Sequence, residues 1–198
     1  MSSKLTIVYY SATGTVHAMA RRAAETAESL GAEVRLRHVA EIAPDEAIES
    51  QDAWAEHRAE MDGKPVAEPD DLTWADVVLL GTPTRFGSAA SQLQAFIDTL
   101  GPLWQEGALA DKVYAGFVAT QTKHGGQEST LLSLYTTVIH WGGIVVAPGY
   151  TDQVKFADGN PYGAGKVTGA TTDLDDADRD AIDHLVTRAL HVADRLAG

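Results

Sequence analysis

The chain has no cysteine. Disulfide frameworks, thiol nucleophiles and cysteine-held metals are therefore excluded, and a cytoplasmic location is the expectation. Positive charge is also scarce: 15 Lys and Arg stand against 28 Asp and Glu, a formal net charge of −13. Such a chain repels nucleic-acid backbones and anionic lipid unless its basic residues are concentrated, and the sequence shows no basic patch. No apolar run approaches the roughly 18 residues of a membrane-spanning helix. Residues 1–7, MSSKLTI, enter a strand pattern without the apolar core of a signal peptide. Two nucleotide signatures are missing too. There is no G-x-x-x-x-G-K-[ST], hence no lysine loop for a nucleoside triphosphate, and no G-x-G-x-x-G for a dinucleotide.

What remains is ample for one sizeable core: 198 residues, 44% of them hydrophobic. Short aliphatic stretches at 5–10, 33–39, 76–81, 113–119 and 143–147 read as strands. The first, third and fifth are nearly continuous apolar runs, as expected of strands covered on both faces. Between the first two, Val16, Met19, Ala20, Ala23, Ala27 and Leu30 mark one helical face, ended by Gly31. Residues 89–100 and 128–141 read as further helices. The last helix starts in the acidic run Asp173–Asp180 and carries Ile182, Leu185, Val186, Ala189, Leu190, Ala193 and Leu196. Alternating strands and helices predict one α/β domain over 1–198, a doubly wound parallel sheet of five strands in the order 2-1-3-4-5. An insert at 41–72 and a Gly/Pro/Thr-rich loop at 148–172 exceed what that fold needs.

Ligands of such sheets bind at the carboxyl ends of the strands, where the strand order reverses. The first end, YYSATGT at 9–15, offers the hydroxyls of Ser11, Thr13 and Thr15 and the free amides opening the next helix. Hydroxyls and amides without a lysine suit one terminal phosphate monoester, although a Ser/Thr-rich turn is also an ordinary helix cap. The second end, after residue 81, frames Thr82, Pro83, Thr84, Arg85 and Phe86 between Gly81 and Gly87. That is a stiff loop with an apolar ring and a charge. The third, TQTKHGGQES at 120–129, adds hydroxyls and a glycine pair. Together they describe a phosphate socket, a polar groove and a flat slot. His17, His38, His57, His184 and His191 lack metal-ligand spacing and read as structural or solvated.

These loops, with GTPTRFGSAASQLQAFIDTLGPLW (81–104), HGGQES (124–129), IHWGG (139–143) and NPYGA (160–164), resemble the WrbA-type NAD(P)H:quinone oxidoreductases of the flavodoxin-like superfamily. The resemblance spans roughly residues 4–166. It implies FMN as the bound cofactor, with the phosphate on Ser11, Ala12, Thr13, Gly14, Thr15 and Val16. It implies the isoalloxazine against Pro83, Thr84, Arg85, Phe86 and Gly87, with the flavin edge near Thr120, Gln121, Thr122, Lys123, His124 and Gly125. A further FMN contact from His140, and quinone or nicotinamide stacking at Trp104, are also implied, as is assembly into homotetramers. Thr13 stands where some members use an aromatic residue toward nicotinamide. The third loop has fewer glycines than the family pattern, and residues beyond 166 do not match it.

The expected activity is hydride transfer from NADH or NADPH to the flavin and on to a quinone, with one shared site giving ping-pong kinetics. Amides of the third loop, with Lys123 or His124, would stabilise the negative charge of the reduced ring. A one-electron carrier and a flavin-binding interaction protein with little turnover stand as alternatives. The long insert and Trp104 exceed what a small carrier needs.

Overall fold

The computed structural model describes residues 2–169 and 171–198. Met1, in the expected leaderless start, and Ala170, in the expected 148–172 loop, lie outside the described residues. In chain order the elements are β1 (Lys4–Tyr9), α1 (Thr15–Ser29), β2 (Glu33–His38), α2 (Asp45–Glu49), α3 (Asp52–Glu60) and α4 (Pro69–Trp74). There follow β3 (Val77–Arg85), β4 (Ser88–Ala89), α5 (Ser91–Asp98), α6 (Gly101–Gln105), β5 (Val113–Thr120) and α7 (Gln127–His140). The chain closes with β6 (Ile144–Val145), α8 (Val154–Asp158), β7 (Ala164–Val167) and α9 (Asp176–Ala197).

The apolar runs of β1, β3 and β5 are continuous because each strand feeds two cores in alternation. Leu5, Ile7, Tyr9, Val77, Leu79, Ala115 and Phe117 pack against α1 and α9. Val8, Tyr10, Val78, Leu80 and Tyr114 face the other way, against α4, α5 and α7. The parallel strand order β2-β1-β3-β5 agrees with the sequence expectation, and helices cover both faces of the sheet.

The fifth position differs from the expectation. β6 pairs only with Val113 and Tyr114, and β7 takes over the same side of β5 from Phe117 to Thr120. One strand is thus built in two pieces, with α8 between them. The expected 148–172 loop therefore contains a helix and a strand. The insert at 41–72 likewise holds three short helices. β3 runs four residues beyond its expected end, carrying Thr82, Pro83, Thr84 and Arg85 out above the sheet. The acidic run caps α9 as its composition suggests: Asp178 N donates to Asp175 at 2.9 Å, and Asp175 N donates back to Asp178 at 3.0 Å.

Candidate functional site

Three strand ends build one cleft of about 850 Å³. Ser11, Ala12, Thr13, Thr15 and Val16 line it from the first, Pro83, Thr84, Arg85 and Phe86 from the second, and Thr120, Gln121, Thr122 and Gly125 from the third. At the first end, Gly14 sits in the left-handed region (φ 96°) and caps α1, a conformation that only glycine adopts without strain. Its amide donates to Ser11 Oγ at 3.1 Å, which curls the loop around the open amides of the helix. Thr15 Oγ1 is buried there without a partner. A buried hydroxyl left unpaired costs about 1–3 kcal/mol, so such a group points to a missing acceptor or donor.

At the second end, β3 turns back into β4 through Phe86 and Gly87 alone, with Arg85 paired to Ser88. Both turn residues have positive φ, 52° and 83°, as a two-residue hairpin of this hand requires. Asn-Gly would satisfy that turn without strain. Instead a phenylalanine occupies the strained position and stands fully exposed. Strain and an exposed aromatic at the mouth of a cleft together mark a ring-binding surface.

The second and third ends are tied together. Thr84 Oγ1 meets Thr130 Oγ1 at 2.8 Å and donates to the Gly125 carbonyl at 3.2 Å. A Cβ on Gly126, which has φ 91°, would come within 2.8 Å of Gly87 Cα, so the loops close only through glycine. Gln127 Nε2 donates to Thr120 Oγ1 at 3.0 Å, and Gln127 Oε1 accepts from Asn160 Nδ2 at 3.2 Å, which anchors the third loop to NPYGA.

The insert supplies cleft residues that the sequence reading left out: Gln51, Ala53 and Trp54. Glu41 holds them in place. Its carboxylate accepts from Tyr10 Oη at 2.7 Å, Trp54 Nε1 at 3.0 Å, Gln92 Nε2 at 2.6 Å and the amides of Ile42 and Ala43. Burial alone would raise its pKa, but these donors outweigh burial and hold it below the usual carboxylate range. Its contribution to stability is therefore present above the ordinary carboxylate pKa and is lost as pH falls through the depressed value. Glu41→Ala should raise amide exchange across residues 45–60 by tenfold or more, with β5 unchanged, in hydrogen-exchange mass spectrometry. Thr168, Gly169, Thr171 and Thr172 also line the cleft, a second hydroxyl cluster that the sequence analysis passed over as loop.

Lys123 and His124 lie exposed on the third loop, outside the cleft lining. Trp104 and His140 are not brought to the cleft at all. α7 leaves the third loop at Gly126 and ends at His140, so about 20 Å of helix separates His140 from the cleft. Trp104 Nε1 donates to the His140 carbonyl at 2.9 Å, at that far end.

Residues 7–154 match the family described as NADPH-dependent FMN reductase. The whole chain aligns with a NAD(P)H dehydrogenase (quinone) of Deinococcus radiodurans at 49% identity, covering 98% of each sequence. The chain belongs to this family. A NAD(P)H dehydrogenase (quinone) of Aromatoleum aromaticum is 41% identical over 84% of this chain and 83% of its own length. Among solved structures, a WrbA-like flavodoxin from Agrobacterium tumefaciens superposes with a TM-score of 0.68 at 26% identity, covering 98% of this chain and 99% of that one. The WrbA resemblance and the flavodoxin-like fold both stand.

For this member of the FMN reductase family the question is whether the cleft residues fit FMN, and they do. The unpaired Thr15 hydroxyl, the amides at the head of α1 and Ser11 are donors suited to one phosphate. The exposed Phe86 and the second and third loops, closed through glycine, bound the rest of the cleft with room for a ring. No lysine lines the cleft, which suits a monoester better than a triphosphate.

Proposed function

We propose that this chain is an FMN-dependent NAD(P)H dehydrogenase that reduces quinones by two electrons, in the cytoplasm and as a homotetramer. The observation that carries this reading is the pairing, in one cleft, of a buried unpaired hydroxyl at a helix N-terminus with an exposed, strained phenylalanine. The named relatives at 49% and 41% identity support the same chemistry. When bound, FMN supplies the redox chemistry, taking hydride from NAD(P)H and giving two electrons to a quinone. Ser11, Thr13, Gly14, Thr15 and Val16 would hold the phosphate, and Pro83, Thr84, Arg85, Phe86 and Gly87 would bound the ring. Amides of Gln121 and Thr122 would stabilise negative charge at the ring's edge, while the Gly125 amide closes the loop on the Thr122 carbonyl at 3.0 Å. Arg85 lines the cleft, makes no ion pair among the described residues beyond a bond to the Thr84 carbonyl at 3.2 Å, and suits the phosphates of the nicotinamide cosubstrate. The two substrates use one slot in turn, so the kinetics are ping-pong.

Trp104 and His140 enter this scheme only through another copy of the chain. Trp104 is 54% exposed at the far end of the sheet, and α7 shows exposed Leu132 and Ile139 along one side, a short apolar stripe. A subunit docked through that stripe would present Trp104 to its neighbour's cleft. Trp104→Ala should then lower kcat/KM for quinone and NAD(P)H several-fold, because aromatic stacking is worth about 0.5–1.5 kcal/mol, with FMN affinity unchanged. Steady-state kinetics with saturating FMN check this. The overall reading is tested by adding FMN, then NADH without oxygen, then benzoquinone, to the purified protein. Fluorescence quenching, bleaching and recovery of the flavin band should follow in turn, and FAD binding tighter than FMN would refute the assignment.

A further inference from the structure

Behind the phosphate loop lies a chain of four ionisable side chains that the redox scheme leaves unused: Tyr9, His17 and His57 are buried, and Glu60 reaches solvent. Tyr9, the last residue of β1, bonds His17 Nδ1 at 2.5 Å. Burial raises the phenol's pKa strongly, so Tyr9 stays protonated and is the donor. That bond leaves the imidazole hydrogen on Nε2, which faces Glu60 Oε1 at 3.7 Å. The other oxygen of Glu60 accepts from His57 Nδ1 at 3.0 Å. His57 Nε2 is then a bare acceptor, buried and without a partner. Both rings are more than nine-tenths buried, and their centroids are 5.3 Å apart.

The rings press on the loop from behind. His17 lies in the first turn of α1, and His57 Nδ1 is 3.7 Å from the place a Cβ on Gly14 would take. Burial, then the neighbouring His57, lower the His17 pKa to about 4. The groups acting on His17 are Tyr9 from β1, Arg21 from α1, Glu60 from α3 and Lys64 just beyond α3, and His57 shares a cavity with His38, Glu41, Arg58 and Asp62. Glu60 is the single carboxylate among those acting on His17. The helix N-terminus, Arg21 and Lys64 all oppose a positive charge here.

We infer that the His17–Glu60–His57 chain takes up a proton when a phosphate monoester occupies the loop, so that holding the cofactor depends on pH. This inference rests on the FMN reading of the loop given above. A dianion placed at the head of α1, within about one helical turn of both rings, reverses the local field and favours the imidazolium. Two imidazolium ions at this separation repel, so the pair takes up one proton, on His57 Nε2 or His17 Nδ1, with Glu60 as the counter-carboxylate between the rings. His57 thereby becomes a positioning residue of the cofactor site, delivered by the insert.

The test is an NMR titration of histidine-labelled protein from about pH 3 to 7, free, with FMN and with riboflavin, which lacks the phosphate. Flavin fluorescence quenching is followed in parallel. FMN should raise the His17 midpoint by about one unit or more, whereas riboflavin should leave it in place. Relative to a His17→Gln/His57→Gln variant, the wild type should lose several-fold more FMN affinity between about pH 4 and 6. Equal midpoints with FMN and riboflavin would overturn the inference, as would a pH dependence shared by wild type and variant. Failure of FMN to quench at any pH would overturn the FMN reading and this inference with it.

Discussion

Lys155→Ala is expected to lower the unfolding free energy by about 3–5 kcal/mol and the melting temperature by roughly 6–20 °C. Lys155 is fully buried, pairs with Asp158, and donates to the Gly163 carbonyl at 3.0 Å. Burial pushes the Asp158 carboxyl up against the pull of the lysine, so the site is already costly for charge. Taking away the ammonium leaves a buried carboxyl and a carbonyl without their donor. Lys155→Met combined with Asp158→Leu should recover most of the loss, because apolar replacement of both partners is often neutral or better. Thermal unfolding of the three proteins decides between these outcomes. A loss below about 1 kcal/mol for Lys155→Ala would show that water readily enters the segment around α8.

The second large effect falls on the cofactor. Thr15→Val should weaken FMN binding by about 10–150-fold, the scale of one hydrogen bond to a charged group. The same change should stabilise the FMN-free protein by roughly 1 kcal/mol, because the buried hydroxyl has no partner without the phosphate. Few substitutions carry opposite signs in this way, and the pair of signs separates a phosphate ligand from a packing residue. Ser11→Ala provides the contrast. It removes the acceptor of the Gly14 amide, so it should weaken both the free protein and FMN binding. Riboflavin affinity should stay within about twofold in Thr15→Val, and equal losses for FMN and riboflavin would sink the assignment of Thr15 to the phosphate.

The sheet could be read from the sequence where one physical rule dominated. β1, β3 and β5 announce themselves because strands buried on both faces need unbroken apolar runs. β7 does not, since Ala164, Gly165, Lys166 and Val167 carry no such run, and Lys166 is buried only through its pairing with Asp178 at 2.6 Å. α3 was hidden for a similar reason. Its residues form no apolar face, and its buried members are His57 and, in part, Trp54, held by Glu60 and Glu41. Polar partners far apart in sequence leave no periodicity to detect. The first three loops were visible as hydroxyl- and glycine-rich strand ends. The far-end placement of Trp104 and His140 follows from chain direction alone, since a helix leaving the carboxyl edge of a parallel sheet must return to the amino edge. Their roles came from resemblance, and resemblance carries no geometry.

The broken fifth strand has a consequence for how copies of this chain can meet. An outermost strand with a long open row of backbone donors and acceptors invites a foreign strand to add to the sheet. Here that border is only two residues at β6 and four at β7, with the chain leaving the sheet between them. The opposite border, β2, carries Arg35 and Arg37, both committed to Asp71. The β6/β7 rim offers no template of useful length, and the six-residue β2 rim is charged and met at its end by the bridge from His38 to Val66. Growth of the sheet from molecule to molecule is thereby discouraged at both margins, and contact between copies is left to the helical flanks. The interruption that looks like a defect in the sheet steers association toward closed assemblies and away from fibres.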